Sequence, residues 1–88
     1  MFKPLDPLLH SELRLAIMSI LLSVEEADFV YLKEQTKSTS GNLSVQIEKL
    51  KEAGYIEVKR GFAGKRTRTV CKITAHGISA FEQYVESL

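Results

Sequence analysis

The segment Thr39 to Val58 reads TSGNLSVQIEKLKEAGYIEV, and two structural periods meet inside it. From Ser40 to about Ala53, Leu43, Ile47 and Leu50 recur at steps of four and three, the spacing of a single buried helical stripe. Thr39 ahead of it offers a side-chain oxygen to the first free amides. Gly54 behind it suits the left-handed backbone on which helices end. Directly beyond Gly54 the period falls to two: Ile56 and Val58 alternate with Glu57 and Lys59, as on a half-buried strand. A capped amphipathic helix passing through a glycine into an alternating strand restricts the fold more than any other part of the chain.

Upstream, Asp28 can cap a short helix running to about Gln35 with Phe29 and Leu32 inward. The polar run TKSTSG, residues 36–41, then makes a tight connection. Two short helices joined in this way form a helix-turn-helix over about residues 28–53. Before them, from Pro7 to about Val24, Leu9, Leu13, Ala16, Ile17, Ile20 and Val24 form one apolar stripe, while Leu8, Leu15 and Leu22 lie on a second face. One small core covers a single side of such a helix, so the second face calls for another partner, most simply a second copy of the chain. Downstream, the strand from Tyr55 leads to the glycine-bounded turn GFAGKR, residues 61–66, and to a strand from Thr67 to Thr74 with Thr69, Cys71 and Ile73 on one face. This is a hairpin over about residues 55–74 with a long basic tip. Thr74 can cap a last helix, about residues 75–88, whose Ile78, Phe81, Val85 and Leu88 line one seam. The order helix, helix, helix, strand, strand, helix describes one α+β domain over residues 1–88.

Composition fits that size. Hydrophobic residues make up 44% and charged residues 26% of 88, ordinary for a globular chain. The most apolar stretch, Leu15 to Val24, is about half of what a bilayer crossing requires. The N-terminus lacks the basic-then-apolar layout of a secretory signal, and no linker or room for a ligand domain is expected. The single cysteine, Cys71, excludes an internal disulfide and fits the reducing cytoplasm. Net charge is only +1, but residues 59–72 hold Lys59, Arg60, Lys65, Arg66, Arg68 and Lys72, six of the twelve basic side chains, with no acidic one. A cationic block on an otherwise slightly acidic body is a footprint for a polyanion, or else a solvated hairpin. His10, His76 and Cys71 fall on different elements without paired-ligand spacing, so neither a catalytic constellation nor a metal or cofactor site is expected.

LDPLLHSELRLAIMSIL (residues 5–21), STSGNLSVQIEKLKEAGYIEV (38–58) and RTVCKITAHG (68–77), in this order around a basic hairpin, resemble the winged helix-turn-helix regulators of the MarR and ArsR type. The chain is most similar to the small stand-alone prokaryotic versions, and the resemblance covers nearly all of it. It implies a winged helix that binds double-stranded DNA as a homodimer, with one helix in the major groove and the wing along the backbone or in the minor groove. The dimer would form through the first and last helices, with Leu8, Leu15, Leu22, Phe81, Tyr84, Val85 and Leu88 as its contacts.

The residues suit that role on physical grounds. With Leu43, Ile47 and Leu50 inward, the outward arc near the helix start holds Gly41, Asn42, Ser44 and Val45, flanked by Gln46 and Lys49. Asn and Gln pair bidentately with adenine and Val45 meets a thymine methyl, while Ser38, Thr39, Ser40 and the free amides of the helix start suit a phosphate. Gly41 lets the helix end approach closely. Lys59, Arg60, Lys65, Arg66 and Arg68 supply attraction that does not depend on sequence. Glu48 opposes it if it faces the duplex. The leading expectation is therefore a dimeric transcriptional regulator, in the sense of a repressor. The alternative is a winged-helix module that binds protein within a larger assembly. No effector is named by the sequence.

Overall fold

The computed structural model of the protein describes residues 6–64 and 66–88, and for Phe62, Ala63 and Arg66 the backbone alone. Seven elements follow one another: α1 (Glu12–Val24), β1 (Glu26–Asp28), α2 (Phe29–Thr36), α3 (Ser40–Glu52), β2 (Ile56–Ala63), β3 (Arg66–Ile73) and α4 (Ala75–Glu86).

Each helix start is fixed by a side-chain cap, and for α2, α3 and α4 it is the one that the sequence predicts. Asp28 accepts from the amide of Tyr31 at 2.8 Å, Thr39 from that of Asn42 at 3.2 Å, and Thr74 from that of Gly77 at 2.9 Å. Each cap satisfies a donor that the first helical turn leaves open, worth about 1 kcal/mol. The first helix is shorter than its apolar pattern suggests. Asp6 accepts the amide of Leu8 on its carboxylate and those of Leu9 and His10 on its carbonyl, closing a separate turn, and the helix begins only at Glu12 after the cap Ser11. Its buried stripe is also rotated from the expected one: Ile17, Met18 and Leu21 are fully buried, whereas Val24 is exposed. Apolar residues occupy nearly every position from Leu13 to Leu22, so periodicity alone does not fix the helix phase.

A short strand, β1, stands where the sequence shows only an acidic interruption. Ala27 is its one buried side chain, and β1 pairs antiparallel with β3, matching Ala27 to Cys71. The sheet order is β1-β3-β2. β2 and β3 pair from Ile56↔Ile73 out to Ala63↔Arg66, so the strands run into the segment 61–66 where the sequence suggests a broad turn. Gly64 at that turn takes φ +68. Cross-strand partners share a face, which places Ile56, Val58, Cys71 and Ile73 toward the helices and continues outward through Arg60 and Thr69.

Leu9, Ile17, Met18, Leu21, Leu32, Leu43, Ile47, Leu50, Ile56, Cys71 and Tyr84 form one core with Ala27, contributed by the N-terminal turn and every element. Gly77 allows α4 to close on it: a Cβ there would lie 2.1 Å from the Tyr55 carbonyl oxygen, which accepts the amide of Thr74 at 3.0 Å. Gly54 ends the α3 segment at φ +79, as its place in the sequence predicts.

Candidate nucleic-acid interface

Burial of Leu43, Ile47 and Leu50 turns the rest of α3 outward. Thr39, Ser40, Gly41, Asn42, Ser44, Val45 and Lys49 are exposed, and Val45, 51% accessible, is a branched apolar side chain in water on a polar face. The amides of Ser40 and Gly41 have no acceptor within the helix, as at any helix start. Gly41 is not needed by the fold, since an added Cβ would find nothing within 4 Å.

Gln46 sits differently from its neighbours. It is half-buried, and its side-chain oxygen accepts from the Arg14 guanidinium of α1, while its amide nitrogen donates to Asn42 Oδ1 at 2.9 Å. The expected free base-reading amide is thus a link between α1 and the exposed start of α3. Arg14 drew no attention in the sequence because it lies on the buried stripe of α1, at the step of three that precedes Ile17. Glu48 is exposed and pairs with Lys51 at 3.7 Å, which offsets part of the charge that would oppose a polyanion.

The hairpin divides its cations between two faces. Arg60 lies on the core side, and with Thr69 it lines a cleft shared with Ser44, Ile47 and Glu48 of α3 and Phe29 of α2. The outer arc of α3 and the base of the wing therefore open onto the same space. Lys59, Arg68 and Lys72 stand on the opposite face of the sheet. Arg68 pairs with Asp28, the α2 cap, at 3.4 Å. Lys72 is flanked in register by Glu57 on β2 and Glu26 on β1. The basic block is thus less naked than its sequence suggests, because the sheet brings in acids from segments far along the chain. Lys65 and the Arg66 side chain lie outside the described residues.

His10, His76, Tyr55 and Cys71 make their contacts within the fold. His10 Nδ1 lies 3.2 Å from the Tyr84 hydroxyl, and His76 packs edge-on against Tyr55, ring centroids 5.0 Å apart. The Tyr55 hydroxyl donates to the Asp6 carboxylate. Burial first, and then Asp6 as hydrogen-bond partner and negative neighbour, pushes Tyr55 up to about 12. Burial likewise pushes the Cys71 thiol up to about 11, against the opposing pull of the Arg60 charge. A neutral, fully buried thiol is a core residue and a poor nucleophile.

Among the residues assigned to a dimer contact, Leu22, Val85 and Leu88 are 37%, 50% and 76% exposed, and Phe81 is half-buried. Leu8 and Leu15 are half-buried against the chain's own core. Tyr84 is a correction: at 5% exposure, with its hydroxyl held by His10, it belongs inside the protomer and has little surface to give a partner.

Residues 13–88 match the family of winged helix DNA-binding domains. A curated relative, the uncharacterised protein MJ0432 of Methanocaldococcus jannaschii, is 38% identical over 76 residues, covering 86% of this chain and 83% of that protein. The solved structure of a transcriptional regulator homologue from Pyrococcus horikoshii OT3 superposes with a TM-score of 0.84 at 31% identity, over 91% of this chain and 79% of that one. A mutant of E. coli MarR complexed with operator DNA shares the fold, with a TM-score of 0.76 at 21% identity over 92% of this chain and 57% of that one. An outward polar helix, a basic hairpin beside it and these likenesses lead to one statement: the chain belongs to the winged helix DNA-binding domain family and has the fold of the MarR-type transcriptional regulators.

Proposed function

We propose that the protein is a homodimeric, sequence-specific regulator of transcription that represses by occupying duplex DNA. The observation that carries this reading is the cleft joining α3 to the wing, where Ser44 and Glu48 face Arg60 and Thr69. A major groove about 12 Å wide takes one α-helix. With α3 in it, Thr39, Ser40, Gly41, Asn42, Ser44, Val45 and Lys49 meet bases and adjoining phosphates, and Lys59, Arg60, Lys65, Arg66 and Arg68 follow the neighbouring backbone. Occupying a site excludes other proteins from it without any further contact, which makes repression the simplest outcome. Such a protein works in the cytoplasm of a prokaryotic cell, where its DNA lies. The half-exposed seam of α4 with Leu22 of α1 supports pairing of two copies.

Selection of bound sequences from a random duplex pool tests this. Two half-sites about one helical turn apart, with affinity falling steeply as salt rises, is the expected result. Salt-insensitive binding without any preferred sequence would sink the proposal and favour a protein-docking role for the same fold.

A further inference from the structure

Two side chains of α3, Gln46 and Asn42, hydrogen-bond in a direction fixed from inside the protein by Arg14 of α1. A guanidinium has donors only. Arg14 is held by the Leu8 carbonyl, which its Nε meets, and its Nη1 donates to Gln46 Oε1. Gln46 must therefore keep its oxygen inward, and its amide nitrogen is turned toward Asn42, donating to Oδ1 at 2.9 Å. Asn42, one turn nearer the exposed helix end, is left with its NH2 group outward. Flipping either amide would set donor against donor or acceptor against acceptor, so neither flips alone.

We propose that Arg14 is a positioning residue that sets the hydrogen-bond polarity of the recognition helix: acting through Gln46, it makes Asn42 present a donor to the groove. The base edge opposite Asn42 is then one with an acceptor, guanine N7 and O6, adenine N7 or thymine O4, in preference to cytosine, whose major-groove edge offers only an amino donor. This inference rests on the reading of α3 as the helix that enters the groove. Arg14 itself touches no DNA. It lies on the far side of Gln46, so its effect falls on the identity of one base and leaves the number of phosphate contacts alone.

The test is duplex selection by the wild type, Arg14→Lys, Arg14→Met and Gln46→Glu, each first checked for folding by circular dichroism. The wild type should enrich an acceptor base at one position of each half-site. Arg14→Lys keeps a pure donor in place and should retain that preference. Arg14→Met frees both amides, and enrichment at that position should fall about fivefold, the worth of one hydrogen bond, with an unchanged salt slope. In Gln46→Glu the carboxylate only accepts, so Asn42 must turn its NH2 inward and its oxygen out. The preference should invert to the cytosine amino edge, whatever the added charge does to overall affinity. A folded Arg14→Met with wild-type preference, or a Gln46→Glu without inversion, overturns the proposal. If Arg14→Met does not fold, the Gln46→Glu arm decides. Wild-type protein that selects no sequence overturns the duplex-reading role first and this inference with it.

Discussion

Gly41 lies in the first turn of α3, where an added Cβ would meet nothing within 4 Å and the backbone is helical. Glycine in a helix forfeits about 0.5–1 kcal/mol relative to alanine. Gly41→Ala should therefore raise stability by about that amount in urea unfolding, while crowding at a DNA surface should cost duplex affinity about 1 kcal/mol. Alanine that stabilises the fold and leaves binding untouched would deny Gly41 a place at the contact. Cys71 and Tyr55 set an alkaline limit. Both are raised on folding, from 9.0 to about 11 and from 10.0 to about 12, so the protonated forms are the ones the fold favours. Their contribution is complete below about pH 9 and is lost as pH climbs through about 11 and 12. Urea midpoints should be flat with respect to these groups at neutral pH and fall above pH 9. A thiol reagent should label Cys71 only as fast as the protein opens. Immediate labelling at pH 7 would contradict its burial.

Between elements, the sheet decides how much of the wing's charge is available. Asp28 serves twice, capping α2 through Oδ1 and holding Arg68 through Oδ2. Asn caps as well as Asp but carries no charge. Asp28→Asn should thus change stability by less than about 1 kcal/mol, as for an exposed ion pair. It should also tighten duplex binding at low salt and steepen the salt dependence by up to about one unit per protomer as Arg68 becomes free. Titration of binding against salt checks this, and unchanged binding would place Arg68 away from the duplex. The caps at Asp28, Thr39 and Thr74, the α3 stripe and the Gly54 terminus were all legible in the sequence, because each depends on residues within four positions of one another. β1 was not legible. Three residues with one buried side chain carry no period, and β1 exists only because β3 offers an unpaired edge beside it.

For the whole molecule, the exposed seam is the open quantity. Val85 and Leu88 at the end of α4 and Leu22 near the end of α1 remain accessible in the single protomer. Val85 is 50% exposed, so Val85→Glu should leave the melting of the isolated fold nearly unchanged. It should halve the mass seen by sedimentation and weaken binding to a two-half-site duplex about a hundredfold, the usual loss when bivalency goes. A variant that stays dimeric would move the interface off this seam. Tyr84 shows the limit of reading such a seam from spacing. It neighbours Phe81 and Val85 in sequence, but it faces His10 and the core.

By itself the sequence determined the helix-turn-helix, the hairpin, their order and the polar arc of α3, because caps, turns and periods are set by near neighbours along the chain. The tertiary structure alone decided the phase of α1, the pairing of Arg68 with Asp28 and the tie from Arg14 through Gln46 to Asn42. Each of these joins residues dozens of positions apart, and which of several apolar or charged neighbours meet there is settled by packing into one shared core.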